Sequence, residues 1–307
     1  MLVLTVLADF TSATATALAY THLLVAHLTA RQLAVQVRIL SVTTPLTVAD
    51  SLYATPAPAS AEQYAERQRQ LAAFTDAGAI CQHQLLTAPP AEVLPSLLKH
   101  DRQHDRLGML VIGRHLPACS TLSQQLSLHL IRLIDHPLLL VPEDFAGATV
   151  PRRVVFDTDR QPVRLPESAN AIPELLMQLV ANRVHYLGEG PEAVEELLAR
   201  LIPEALSIHV YTSAEAPPPG EIVDCVHETG LLAGLAHTVQ TAYHASVVEG
   251  VIQTAVANAA DLLIFVARQH TLPGDAFYHS STAGFMLHTP IPMLVMPELV
   301  PAPESNR

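Results

Sequence analysis

The stretch DRLGMLVIGRH at residues 105–115, followed by DHPLLLVPE at 135–143, decides the fold of this chain because it occurs twice. Its second version is AADLLIFVARQH at 259–270, followed by TPIPMLVMPE at 289–298. Each version runs from an apolar strand through a polar loop and a helical segment to a closing apolar strand that ends in Pro-Glu. The two versions lie about half of the 307-residue chain apart, so the sequence predicts a duplicated domain with two candidate sites.

The two halves also begin alike. LVLTVLADFTS at residues 2–12 and RVVFDTDRQ at 153–161 both lead from an apolar run to an aspartate, Asp9 in the first half and Asp159 in the second. Short β-rich runs then alternate with longer helical patterns, which is typical of a parallel sheet covered by helices on both faces.

We therefore predict two tandem Rossmann-like α/β domains, each a five-stranded parallel sheet with helices on both faces, at residues 1–146 and 150–300, and a disordered tail at 301–307. The closing strands at 137–142 and 292–296 are expected to pair and to form an internal pseudo-dimer. The other predicted strands lie near residues 2–8, 35–42, 80–86, 107–113, 153–157, 184–187, 207–212, 237–243 and 262–267, which leaves open one strand more in the second half than in the first. The predicted helices lie near 12–32, 60–77, 91–101, 121–134, 168–181, 191–202 and 245–258.

The charge and the aromatic content argue against a nucleic-acid partner. The chain carries 29 acidic and 17 basic residues, a formal net charge of −12, and Lys99 is its one lysine. Such a surface repels phosphate backbones, and with no tryptophan and 5% aromatic residues it offers few stacking platforms.

The sequence predicts a cytoplasmic protein that does not enter a membrane. Apolar runs are interrupted by charges before they reach the roughly 18 residues that a spanning helix needs. The N-terminus meets Asp9 too early for a signal peptide. Cys81, Cys119 and Cys225 show no paired spacing, which fits a reducing compartment.

The ends of the strands suggest where a ligand would bind. Asp9 ends the first strand and precedes Phe-Thr-Ser, Val-Ile-Gly ends the fourth strand at Gly113, and Pro-Leu-Leu-Leu-Val forms the closing strand. In an open parallel sheet, ligands bind at these carboxyl ends. In this order, the pieces resemble the universal stress protein family over essentially the whole chain, as two tandem copies. The resemblance implies an adenine nucleotide alpha hydrolase-like fold, frequent dimerisation and, in some members, ATP binding.

The resemblance assigns roles to three residues of the first half. It implies that Asp9 contacts adenine, that Val42 lines the base pocket, and that Gly113 is the first glycine of a G-x2-G-x9-G-[S/T] phosphate loop. Glycines suit such a loop because backbone amides at a helix N-terminus must approach the phosphates closely.

The rest of the first loop departs from the family pattern. The second glycine falls on Leu116. The closing Gly-Ser pair falls on Leu126 and Ser127 by fixed spacing, or on Gln124 and Gln125 when counted back from the closing strand. With either alignment a side chain replaces the expected glycine.

The second loop departs further. Asp159 matches the adenine aspartate, but Ala267, His270 and His279 replace the three glycines, and Ser280 replaces the hydroxyl residue. The sequence therefore predicts a degenerate second site.

Arginine and histidine side chains offer other chemistry near these loops. Arg114 and Arg268 follow the fourth strand of the first half and the equivalent strand of the second. They either donate hydrogen bonds to an anion, in place of the lost glycines, or are solvated surface charges. His270, His279 and His288 recur every nine residues, and His244 follows a nearby strand. Without a tight ligand motif, this histidine pattern predicts no metal site, although it leaves a metal sensor as an alternative.

These observations leave three hypotheses. The first is a non-catalytic stress-response or regulatory protein with weakened or lost nucleotide binding, which can also form a homodimer. The second is an ATP-binding protein, with or without slow hydrolysis, that uses only the first half through Asp9, Val42, Gly113 and Ser127. The third is a metal or small-molecule sensor built on the histidine-rich second half.

Overall fold

The computed structural model describes most of the first half of the chain and several segments of the second. The described residues are 1–9, 11–41, 61–62, 65–66, 69, 79–86, 88–115, 136–147, 150–157, 204–211, 219–229, 237–267 and 281–298. The strands are β1 (Leu2–Ala8), β2 (Val35–Ser41), β3 (Ile80–Leu85), β4 (Leu107–Arg114), β5 (Leu138–Pro142), β6 (Arg153–Asp157), β7 (Glu204–Tyr211), β8 (His237–Tyr243), β9 (Leu262–Ala267) and β10 (Met293–Pro297). The helices are α1 (Ser12–Ala30), α2 (Pro90–Gln103), α3 (Pro219–Thr229), α4 (Val247–Ala257) and α5 (Ser281–His288).

The described strands form one sheet of ten, in the order β3-β2-β1-β4-β5-β10-β9-β6-β7-β8. Within each run of five strands every pairing is parallel, and the two runs have the same order read from opposite ends. The predicted mostly parallel α/β fold is confirmed. The domain limits at 1–146 and 150–300 stay a prediction.

The two runs meet at the closing strands. β5 and β10 pair antiparallel, with Met293 opposite Leu140 and Val295 opposite Leu138. These residues are buried on both faces of the sheet, which explains the continuous apolar runs after each proline. The pairing expected between the two closing strands is therefore present, and it joins the two halves into one sheet.

The core has two layers because side chains alternate along each strand. One layer contains Leu4, Val111, Phe156 and Leu294 and is covered by α1. The opposite layer contains Leu110, Leu140, Leu263 and Phe285 and includes residues of α2, α4 and α5. Each layer includes residues of both halves, so burial of apolar surface contributes directly to their association.

A buried ion pair anchors α2 on the sheet. Arg38 of β2 donates from Nη1 and Nη2 to the two carboxylate oxygens of Asp101, at 2.8 and 3.0 Å. The Asp101 side chain is fully buried and that of Arg38 is 7% exposed. A bidentate pair satisfies both charges away from water, so losing one partner would leave the other uncompensated.

Some predicted elements lie outside the described residues. These are the strand near 184–187, the helices near 121–134, 168–181 and 191–202, most of the helix near 60–77, and the tail at 301–307. In the part of the chain that the structure describes, no helix is both long enough and apolar enough to cross a membrane.

Candidate functional site

The candidate site lies at the carboxyl ends of β1, β4 and β5, beside the first turn of α1. Because these strands are parallel neighbours, the residues that follow them meet at one edge of the sheet. Asp9 follows β1, His115 follows β4 and Glu143 follows β5. Of these three, the sequence predicted only Asp9 as a site residue.

The Asp9 carboxylate organises the start of α1. Its side chain is 2% exposed. Oδ1 accepts hydrogen bonds from the Thr11 amide at 3.2 Å and the Thr11 hydroxyl at 2.6 Å, and the Thr14 hydroxyl donates to the same oxygen. Thr11 in turn caps the helix by accepting from the Thr14 amide. Asp9 is therefore already engaged with the chain's own hydroxyl groups.

His115 lies between two carboxylates. Its Nε2 is 3.6 Å from Asp9 Oδ2 and 3.3 Å from Thr11 Oγ1, while its Nδ1 is 3.5 Å from Glu143 Oε2. The contact with the Asp9 carboxylate is the largest cause that raises the pKa of His115. The negative charges of Asp9 and Glu143 raise it further, and partial burial opposes them.

Glu143 connects β5 to α1 and β4. The Ser12 hydroxyl donates to its carboxylate, and the Thr16 hydroxyl donates to its backbone carbonyl at 2.9 Å. Its own amide donates to the Arg114 carbonyl at 2.9 Å. Its place directly after the Pro-Leu-Leu-Leu-Val-Pro strand was the signal in the sequence that could have identified it.

Gly113 provides space for α1 to approach β4. A Cβ at this position would lie 2.1 Å from the Ala13 carbonyl oxygen and 2.8 Å from the Thr14 nitrogen. Both atoms belong to helix backbone, which cannot turn aside as a flexible side chain can. The structure thus gives this glycine a packing role between strand and helix, and the predicted phosphate contact stays a prediction.

Arg114 reaches into the second half of the chain. It is 9% exposed, and its Nη1 donates to the Met286 carbonyl at 3.1 Å, while Nη2 donates to the Thr289 carbonyl. A cation at the carboxyl end of α5 satisfies carbonyl oxygens that the helix leaves unpaired. Burial lowers the pKa of Arg114, and the charge of Asp144 acts in the opposite direction. Anion binding by Arg114 stays a prediction.

The remaining predicted site residues lie outside the described residues: Val42, Ser127, Asp159, Arg268 and Ser280. The roles that the sequence gives them stay predictions.

The histidines of the second half are only partly described. His270 and His279 lie outside the described residues, whereas His244 is described and meets Ser246 at the start of α4, where the Ser246 amide donates to Nδ1 at 3.0 Å. Within the described ranges, no three His, Cys, Asp or Glu side chains are placed to hold a metal ion. The metal-sensor hypothesis stays a prediction.

Solved structures with the same fold include universal stress proteins. One from Archaeoglobus fulgidus DSM 4304 has a TM-score of 0.58 and 11% identity, and the match covers 96% of each chain. A protein from Pseudomonas aeruginosa UCBPP-PA14 assigned as a universal stress protein has a TM-score of 0.51 and 9% identity, covering 97% of this chain and 93% of its own. A protein of unknown function from Pseudomonas aeruginosa PAO1 has a TM-score of 0.51 and 8% identity, covering 97% and 92%.

These matches establish the fold. The chain has the universal stress protein fold over almost its whole length, which confirms the resemblance seen in the residues at its strand ends. No protein-family model matches the chain, and no curated protein matches its sequence.

Proposed function

We propose that this chain is a universal stress protein-like regulatory module of the cytoplasm that acts without catalysis and in which nucleotide binding is weakened or lost. The observation that carries the proposal is that the Asp9 carboxylate is already occupied by groups of the chain itself. It is buried, accepts hydrogen bonds from Thr11 and Thr14, and faces the His115 ring. A ligand that hydrogen-bonds to Asp9 has to displace one of these groups first.

Gly113 supports the same proposal. The backbone of Ala13 and Thr14 occupies the space that its missing side chain leaves, so the packing of α1 explains this glycine without a ligand. A phosphate cradle needs free backbone amides at a glycine-lined turn. The sequence supplies Leu116 where the next glycine of such a loop is expected, and a net charge of −12 gives little general attraction for a polyphosphate.

Binding of ATP by the first half alone is the second candidate. It is favoured by the observation that Asp9 and Gly113 lie at the ends of the adjacent strands β1 and β4, on one edge of the sheet. Under this candidate, ATP displaces His115 from Asp9, and Ser127 completes the phosphate site.

Isothermal titration with MgATP separates the two candidates. The titration compares the unmodified protein with Asp9→Asn and with the control Asp105→Asn, which changes an exposed carboxylate at a positive φ of 51° that asparagine tolerates. Circular dichroism confirms that each variant is folded.

Absence of heat at millimolar MgATP in all three proteins supports the regulatory module. One site per chain that is lost in Asp9→Asn and kept in Asp105→Asn would overturn that proposal in favour of ATP binding. Measurement of phosphate release from bound ATP then tests for hydrolysis.

A further inference from the structure

At the carboxyl edge of the sheet, the protonation state of one histidine ring controls its contacts with two carboxylates. The His115 bridge consists of Asp9 after β1, His115 after β4 and Glu143 after β5, with the two ring nitrogens facing different carboxylates at 3.6 and 3.5 Å. We propose that the His115 bridge is a pH switch: the imidazolium holds the ends of β1 and β5 together, and loss of its proton releases one of them.

The chemistry of the ring dictates the two states. Imidazolium has an N–H on each nitrogen and can donate to both carboxylates at once. Neutral imidazole keeps one N–H, so its other nitrogen presents a lone pair to a carboxylate oxygen. That contact is repulsive, and only one of the two carboxylates stays bound.

The described surroundings of the ring are negatively charged. Among the described residues, the charged groups that face it are Asp9 from β1 and Glu143 from β5, and α1 faces it with the uncharged Thr11 hydroxyl. Arg114, its neighbour on β4, directs its guanidinium to the carbonyl oxygens at the end of α5. The negative charge of Asp144 raises the pKa of Arg114, so this carboxylate interacts with the arginine.

The direction of the pH dependence follows from these charges. The pKa of His115 is raised above its ordinary value of 6.5 in the folded chain. Its contribution to stability is therefore fully present below about pH 6.5 and is lost as the pH rises through the higher, folded-state pKa. The transition therefore lies above pH 6.5, and histidine is the side chain whose ordinary pKa is closest to neutral pH.

The bridge can transmit its state along β5. Glu143 follows the strand that joins the two halves, and it also contacts Ser12 and Thr16 of α1. Release of Glu143 therefore loosens the contact between α1 and the end of β5. This switch requires no nucleotide: it shares Asp9 and His115 with the proposed function but does not depend on it.

Two measurements on the full chain test the switch. The first follows the His115 ring by NMR titration, with its signal assigned through the His115→Gln variant. We expect a midpoint above the ordinary histidine value of 6.5, and a downward shift of the His115 midpoint in Glu143→Gln, which keeps the size of the side chain. A His115 midpoint at or below that value, or one that Glu143→Gln leaves unchanged, overturns the proposal.

The second measurement tests the release itself. Amide hydrogen–deuterium exchange of residues 136–147 is compared at pH 6 and pH 8.5 after correction for the intrinsic exchange rate. We expect protection to fall at the higher pH in the unmodified protein and in the control His104→Gln, but not in His115→Gln. Equal corrected protection at both pH values in the unmodified protein refutes the switch, whatever the NMR midpoint.

Discussion

Replacing Gly113 by alanine tests the structural role of this residue most sharply. The new methyl group would lie 2.1 Å from the Ala13 carbonyl oxygen, whereas an ordinary contact begins at 3.4 Å. The first turn of α1 must therefore move away from β4 by about 1.3 Å. Forcing a group into a packed site costs about 1–3 kcal/mol, and disturbing a helix cap costs about 1 kcal/mol more.

Alanine also restricts the unfolded chain, which returns about 0.4–1 kcal/mol. The expected net loss for Gly113→Ala is therefore about 1–3.5 kcal/mol. Gly108→Ala on the same strand is the matched control, since its Cβ would meet the nearest atoms, on His136 and Leu98, at 3.4 Å. That substitution should change the free energy of unfolding by less than about 1 kcal/mol.

Urea denaturation followed by circular dichroism measures both variants against the unmodified protein, with the shift in midpoint as the readout. The reasoning is refuted if Gly113→Ala is as stable as Gly108→Ala, because the α1 backbone would then not limit the space at residue 113.

Three further substitutions test the packing of the core and the junction. The Tyr20 hydroxyl is buried without a hydrogen-bond partner among the described residues, so Tyr20→Phe should raise stability by about 1 kcal/mol in thermal unfolding, and a lower Tm would contradict this. Asp101→Asn leaves the charge of Arg38 uncompensated in the core and should lower the free energy of unfolding by about 3–5 kcal/mol. The double variant Asp101→Leu with Arg38→Met removes both charges and should recover most of that stability. If both variants lose the same stability, the uncompensated charge is not the cause. Arg114→Met removes donors to the end of α5 and should cost about 2 kcal/mol by urea denaturation, with an unchanged midpoint as the contrary result.

The outline of the sheet was predictable because it depends on patterns that repeat along the chain. Apolar runs such as those of β5 and β10 are buried on both faces of the sheet, and burial on both faces is what removes the usual polar alternation. The repeat of the two halves then indicated which strands are equivalent, and the matching closing strands indicated their pairing.

The candidate site was only partly predictable. Asp9 was identified because an aspartate that ends the first strand stands out in the sequence. His115 and Glu143 were missed. The sequence also did not reveal that Gly113 makes room for the backbone of α1, while its predicted ligand role stays a prediction. The prediction for Arg114 did not include its contact with the end of α5.

The sequence by itself determined the class of fold and the pairing of the two closing strands. Those properties follow from local apolar patterns and from their repetition. Tertiary structure alone decided the partners of His115, the approach of α1 to Gly113 and the reach of Arg114 into the second half. Most of these contacts join residues about a hundred or more positions apart, and the contact of His115 with Glu143 joins two different strand ends. No local sequence pattern indicates which side chains will face one another once parallel strands bring their ends together.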